Sequence, residues 1–512
     1  MKKFVRRLSV MLCAVLLCTA FSACMAPKEP SSQEEAEEPC GKVRGKVLSD
    51  NGDMMICGIL VTSESGASRR FTTNAYGGYY LELPPGNYTL TFDKGIEFAT
   101  HEVAVTVESL KTYYLQDVRL KQLYDSYANG WIAGDVHQHS TYSDGSDSIE
   151  QLVIANASAG LYWGFLTDHN TSRGVPEWRE SSGVSVLTDA NGARRFFHGF
   201  AGVEATTEFG HFNSLGTGMT FDKYEINFTE AERSSAADKK NAAARDKIIY
   251  IAQQIERQGG LAQMNHPYSL TNMGAMNFLA ADDFEVFECF STMEIWNAYF
   301  VAPDGRFTVE NSDNQNYRSK LIWYSTLNRV KDGGKFIAAV SATDNHDSTG
   351  PVDAATAKLL ETEPADISAY QTICRYRGKY SGSPAIYAYL GEEEISQENI
   401  MAAVKAGHSY LTNGPVMDVK IGEAVFGDTV EAENGSVTLS VRLFCRDGME
   451  SFRIVRNGET VSEKTLGGAS SCEDELTLSA ASGDWILVEV LGEYGLYAIS
   501  NPFFVAEPVP AE

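Results

Sequence analysis

Trp131 to Asn170 reads WIAGDVHQHSTYSDGSDSIEQLVIANASAGLYWGFLTDHN, and this stretch limits the fold more than any other. It opens with a short apolar run that reads as a strand and ends in His137-Gln138-His139. Residues two apart on a strand face the same side, so both imidazoles can reach one point. Asp144 follows in the turn Ser143-Asp144-Gly145. A helical segment is expected over Ser148–Ala159, with Gly160 as its stop. The next apolar run, Leu161 to Leu166, ends in Thr167-Asp168-His169. The pattern is β-α-β, with metal-type side chains closing each strand. Parallel sheets carry their functional groups at the carboxyl ends of the strands.

The chain has 512 residues, too many for one core, so two to four domains are expected. Its formal charge of −26 repels polyanions and argues against a nucleic acid polymer as partner. A small phosphorylated substrate stays admissible, because a local metal cluster reverses the field. Lys2, Lys3, Arg6 and Arg7 precede an apolar run, Leu8 to Ala20, that is too short for a permanent bilayer span. Residues 1–23 therefore read as a signal peptide. Phe21-Ser22-Ala23-Cys24 resembles a bacterial lipoprotein processing site, although Phe21 replaces the usual aliphatic residue. That resemblance implies cleavage before Cys24, a lipid on its sulfur, and an exported protein touching the membrane only through that lipid. An ordinary cleaved signal peptide is the alternative. Residues 24–40, acidic and rich in Pro and Ser, read as a disordered tether.

Six cysteines stay in the mature body: Cys40, Cys57, Cys289, Cys374, Cys445 and Cys472. No CxxC occurs, which argues against a thiolate zinc site. Cys445 and Cys472 fall in one region and can either pair or stand as free thiols.

Residues 41–122 alternate apolar and polar between Gly, Pro and Asn turns, the pattern of a β-sandwich. Asn74-Ala75-Tyr76-Gly77-Gly78-Tyr79 and Leu83-Pro84-Pro85-Gly86-Asn87-Tyr88 resemble the carboxypeptidase-regulatory-like domain. Residues 130–414 read as α/β, with apolar strands at 132–137, 161–167, 198–204, 211–216, 261–265, 292–297 and 336–342. Helices are expected over Ala242–Gln258, about Tyr317–Lys331, and Glu398–Ala406. Two connections, 171–196 and 298–316, are long enough to form a substrate wall or lid. Residues 415–508 alternate well enough for a second β-sandwich.

The histidines of the middle region extend the opening pattern. Glu204 ends HGFAGVE, His211 opens GHFNSLG, His266 ends GGLAQMNH, and Asp344 and His346 end FIAAVSATDNH. The candidate ligands are His137, His139, Asp144, His169, Glu204, His211, His266, Asp344 and His346. Imidazole and carboxylate without thiolate suit Zn, Mn or Fe. Nine donors exceed one tetrahedral ion and suffice for two or three divalent ions sharing carboxylates. His198 starts its strand and belongs at the opposite end; it reads as structural, as do His101 and His408. Asp168 can orient a ligand, shuttle a proton or cap the strand end. Arg173 can bind a phosphate oxygen or stand solvated.

The order HxH, SDG, DH, Glu, His, NHP, DxH resembles the PHP superfamily, named for polymerase and histidinol phosphatase domains. Within it, Ala406-Gly407-His408-Ser409-Tyr410-Leu411-Thr412-Asn413-Gly414-Pro415 and the β region after it look like the carbaryl-hydrolase-like branch. The resemblance covers about residues 130–505. It implies a central distorted (β/α)7 barrel, here flanked by the two sandwiches, and a two- or three-metal hydrolase centre. The superfamily points to phosphoester cleavage of a small molecule by a metal-bridging hydroxide. The branch points to carbamate or carboxylic-ester cleavage on the same centre. The non-catalytic alternative is a surface ligand- or glycan-binding lipoprotein with a structural metal.

Overall fold

The computed structural model describes residues 39–269, 273–298, 314–351 and 380–506. The signal segment, Cys24, nearly all of the tether, most of the 298–316 connection, Cys374 and the last residues of the 415–508 region lie outside the described residues. Among the described residues no helix is long and apolar enough to cross a membrane.

The strands, in chain order, are β1 Gly41–Ser49, β2 Gly58–Ser63, β3 Ser68–Thr72, β4 Gly78–Leu83, β5 Gly86–Asp93, β6 His101–Val107, β7 Thr112–Tyr114 and β8 Val118–Leu120. There follow β9 Trp131–Asp135, β10 Trp163–Leu166, β11 Ser185–Thr188, β12 Arg194–Phe196, β13 His198–Thr207, β14 Gly210–Leu215, β15 Leu261–Met264, β16 Thr292–Asn297 and β17 Ala338–Ala342. The last are β18 Gly350–Pro351, β19 Ala385–Tyr389, β20 Ser409–Thr412, β21 Val416–Lys420, β22 Thr429–Glu431, β23 Ser436–Arg456, β24 Glu459–Ser479, β25 Trp485–Gly492, β26 Tyr497–Ser500 and β27 Phe503–Ala506.

The first eight strands form two sheets, β4-β1-β7 with β8 beside β1, and β3-β2-β5-β6 with β18 added at its edge. They enclose a core that includes Val43, Ile59, Leu81, Leu90 and Phe92. Strands alternating in and out make this possible: in β4, Tyr79, Leu81 and Leu83 are buried while Tyr80 and Glu82 are exposed.

The central strands run β17-β16-β15-β14-β13-β10-β9-β19-β20. Ladders β9–β10–β13 and β15–β16–β17 are parallel; β14 is antiparallel to both neighbours and joins the two sets. Two differences from the expected architecture follow. Among the described residues no ladder closes the sheet into a ring: the ends of β9 and β17 meet only at a parallel bridge between Gln138 and Asn345. The C-terminal strands do not form a sheet of their own either. β26 pairs with β20, and the order continues β26-β25-β23-β21. The edge of β20 is thereby covered by the chain itself.

Helix Ile149–Ser158 starts at Ser148 with a capping box, its side chain accepting from Gln151 N and its backbone N–H donating to the Gln151 side chain. Such a cap contributes about 1 kcal/mol. The helix Ala237–Arg257 begins earlier than expected and buries the stripe Ala244, Ile248, Ile251, Ala252 and Ile255. Each fully buried isoleucine stabilises by roughly 2 kcal/mol. The 171–196 connection is not an irregular loop along its length. It folds into helix Val175–Glu180 and the hairpin β11–β12. The hairpin leans on the N-terminal module: Leu187 joins that module's core, and Asn51 Nδ2 donates to the Asp189 carbonyl at 2.9 Å. Cys445 and Cys472 are free thiols. The β23–β24 register sets Cys472 opposite Leu443, one inward position away from Cys445.

Candidate metal centre

β9 ends at Asp135, so His137 and His139 stand just past the strand, at its carboxyl end. Asp344 N donates to His137 O and His139 N to Asn345 O, which ties the two ligand-bearing segments together at the rim. His169 follows β10, Glu204 lies within β13, and the two pair across an isolated bridge. His211 opens its strand, and the antiparallel direction of β14 explains why. Its amino end lies where its neighbours' carboxyl ends lie. Gly145 is needed for the Asp144 turn, because a Cβ there would sit 2.5 Å from the His139 carbonyl oxygen.

All nine sequence candidates converge. Four overlapping sets each bring ligand atoms within 4.8 Å of one another: His139-Asp144-His169-His346, His137-His139-Asp344, His137-Glu204-His266 and His169-Glu204-His211. Glu204 is the hub. Its Oε1 lies 3.2 Å from His137 Nε2 and 3.1 Å from His211 Nδ1, and its Oε2 lies 2.7 Å from His169 Nδ1 and 3.4 Å from His139 Nε2. Asp344 Oδ1 stands 3.1 Å from His139 Nε2 and 3.3 Å from His137 Nε2. Asp144 reaches His169 Nε2 at 3.4 Å and His346 Nε2 at 3.2 Å. His198, at the start of β13, belongs to none of these sets, and His408 pairs instead with Asp428.

The donors fit cations. His137 Nε2 and Glu204 Oε2 are buried and lack hydrogen-bonding geometry although they stand among other donors. Buried polar atoms in folded proteins as a rule find partners, so unsatisfied atoms of ligand type grouped within reach of one another fit a place for an ion. Burial would lower the His137 pKa, yet Asp344, Glu204 and Glu294 together hold it well above the ordinary value. The same contest, with burial opposed by Glu204 and Asp144, raises His169 to about 10. Burial wins at His139, which falls to about 4. At Glu204 burial is overridden by His137, His169 and His211, which hold the carboxyl well below its usual range. These pulls show a site where positive charge is strongly favoured at His137 and His169. The set exceeds what one closed structural site needs.

Backbone strain gathers at the same rim. Asn170, His266 and Asp344 adopt φ values of 52°, 25° and 50°. Each such residue costs about 1–3 kcal/mol, which surrounding structure must offset.

Asp168 is occupied in holding the loop that carries Asp144. Its carboxylate accepts from Ser140 N at 2.7 Å, Ser140 Oγ at 2.8 Å and Ser143 Oγ at 2.7 Å. It is in none of the four sets. Arg173 is exposed, with its guanidinium 5.9 Å from the Tyr142 ring centroid.

Sequence reasoning missed a layer behind the ligands. Glu294 Oε1 lies 3.3 Å from His137 Nδ1, and its Oε2 accepts from His266 N at 2.7 Å. Asn297 Nδ2 donates to Glu294 and Asp344, and Asn265 Nδ2 to Glu204. Asp135 accepts from His137 N and from the Thr343 hydroxyl. The signal available for Glu294 was a carboxylate set between Met293 and Ile295 in the run that forms β16.

No family model matches the chain, and no curated protein matches it. Among solved structures it is similar to a two-domain protein from Bacteroides vulgatus containing a predicted PHP-like metal-dependent phosphoesterase. Identity is 14%, the match covers 74% of this chain and 93% of that one, and the TM-score is 0.36. It is also similar to an amidohydrolase from Chromobacterium violaceum with bound sulfate, at 16% identity over 46% of this chain and 98% of that one, with a TM-score of 0.25.

Proposed function

We propose that this chain is a metal-dependent hydrolase of PHP type that cleaves a phosphoester of a small molecule. The observation that carries it is the convergence of six imidazoles and three carboxylates at one sheet end. The nine donors would hold two or three divalent ions, Zn, Mn or Fe, which when bound would acidify water and polarise a phosphoryl oxygen.

The chain's own residues do the rest. His137, His139 and Glu204, with side-chain exposures of 0%, 0% and 1%, form the closed floor that excludes water. Asp144, His169 and His346, at 58%, 21% and 24%, form the side open to substrate. Asp168 acts as a positioning residue, because it fixes the loop that presents Asp144. Arg173 stands over Tyr142, two residues before Asp144, where its donors can meet a phosphate oxygen. Export, with a lipid on Cys24, belongs to the same proposal and is tested by mass spectrometry of the processed N-terminus.

The test pairs elemental analysis with turnover. Full-length protein with added Mn or Zn is expected to bind at least two ions per chain. It should hydrolyse an aryl phosphomonoester or phosphodiester in preference to an aryl carbamate. Carbamate preference would move the assignment to the ester branch, and bound metal without any turnover would favour the binding reading. His137→Ala should lose turnover by at least a hundredfold while its circular dichroism spectrum is kept, since the remaining donors still hold part of the cluster.

A further inference from the structure

Seven described arginines are at least partly buried, and six of them hold a carboxylate: Arg70, Arg195, Arg245, Arg446, Arg453 and Arg456. Arg318 is the seventh. Among the described residues its guanidinium has no ion pair and no side-chain hydrogen bond. It meets an aromatic ring instead, 3.9 Å from the Tyr268 ring centroid. Stacking of this kind fixes the guanidinium plane and leaves its in-plane N–H donors free for an oxyanion.

Two chains of contacts link the residues that carry this cation and its ring to segments of the metal centre. Tyr268 is the third residue of the turn that begins at His266, closed by Ser269 N donating to His266 O at 3.0 Å. His266 is one of the nine donors. Arg318 belongs to helix Gln315–Val330, and the first turn of that helix is locked to β16. Asn316 Oδ1 accepts from Asn297 N at 3.0 Å and Asn316 Nδ2 donates to Asn297 O at 3.0 Å. Asn297 in turn donates to Asp344 Oδ2 at 3.1 Å. A positive charge held this way beside a hydrolytic cluster is suited to a part of the substrate that the ions do not bind.

We infer that Arg318 is a specificity-determining residue that binds a second anionic group, carboxylate or phosphate, on the substrate. The centre therefore selects substrates with one oxyanion to be cleaved and another to be held. The inference rests on the hydrolase reading for where the first oxyanion sits.

The test measures binding as well as turnover. Calorimetry on the full-length, metal-loaded protein compares phenylphosphonate with 4-carboxyphenylphosphonate and its biphenyl homologue, which lengthens the reach. Wild-type protein should bind one of the carboxylated probes roughly 10–100-fold more tightly, the range of a charge-assisted hydrogen-bonded pair. Arg318→Met keeps the side-chain stem over Tyr268 and should erase that preference without changing phenylphosphonate binding. Arg318→Lys should restore part of it. Equal binding of all three probes by wild-type protein, a preference that survives in R318M, or binding of none of them overturns the inference. Loss of aryl phosphate turnover with the Arg318-dependent preference intact overturns the hydrolase reading alone.

Discussion

Glu294 decides how His137 is presented. With Nδ1 of the ring 3.3 Å from Glu294 Oε1, the carboxylate is placed to accept that N–H and leaves Nε2 facing Glu204 and Asp344. A carboxylate behind a ligating histidine fixes its tautomer and raises its basicity. Glu294→Gln replaces an oxygen with an amide N–H2 facing either His137 or the His266 N–H, so one donor loses its acceptor. Metal affinity should fall roughly 10–100-fold, read by competition with a chelating indicator, and unchanged affinity would remove Glu294 from this role. The nine converging donors were legible in the sequence because one HxH pair, one DxH pair and single histidines, set at successive strand ends, seldom arise from core packing alone. Glu294 was not, since a single acid in an apolar strand has no partner nearby in the chain. Asn265 and Asn297 were hidden for a further reason: amides act through neighbours, and only the fold shows which neighbours.

Strand β9 leads into both His137 and His139, and its seating depends on one position without a side chain. A Cβ on Gly134 would lie 2.1 Å from Trp163 Cδ2. Trp163 cannot retreat, because it is fully buried and its Nε1 donates to the Ile132 carbonyl at 3.0 Å. Gly134→Ala should therefore cost about 1–3 kcal/mol, seen as a lower urea midpoint with unchanged slope, whereas an unshifted midpoint would mean that β10 moves to accommodate the methyl group. Element positions were readable from the sequence: the helix after Ser148 and the strands ending in ligands fall within a few residues of expectation. Strand direction was not. That β14 runs antiparallel depends on the tight turn between Thr207 and Gly210, whereas His211 merely opening an apolar run fits either direction. The hairpin β11–β12 was likewise hidden within a long connection, because its partner surface lies on the N-terminal module.

The N-terminal module, the linker and the central sheet meet at one carboxyl group, and that meeting makes the stability of the whole molecule pH-dependent. Continuity of the sheet from β20 into β26, like the incomplete closure between β9 and β17, arises from pairings far apart in the chain that local pattern does not encode. Glu97 shows how such joins are held. It follows β5, accepts from Ser126 N at 3.1 Å, from the Ser126 hydroxyl and from Tyr387 Oη at 3.0 Å, and Tyr387 belongs to β19. Burial pushes its pKa up from 4.5 to about 7, against the opposing hydrogen bonds from Ser126. The folded state therefore holds a proton that the unfolded chain releases between those two values. Stability contributed by this group is greatest below pH 4.5, falls as pH rises through the window, and is lost above about 7. Glu97→Gln has nothing to titrate there. From pH 8 down to pH 5 the wild-type unfolding free energy should gain about 2 kcal/mol on that of the variant, measured by urea denaturation in matched buffers. Parallel pH profiles for the two proteins would show that the carboxyl titrates as it does in water, and that the join between module and sheet holds without a buried proton.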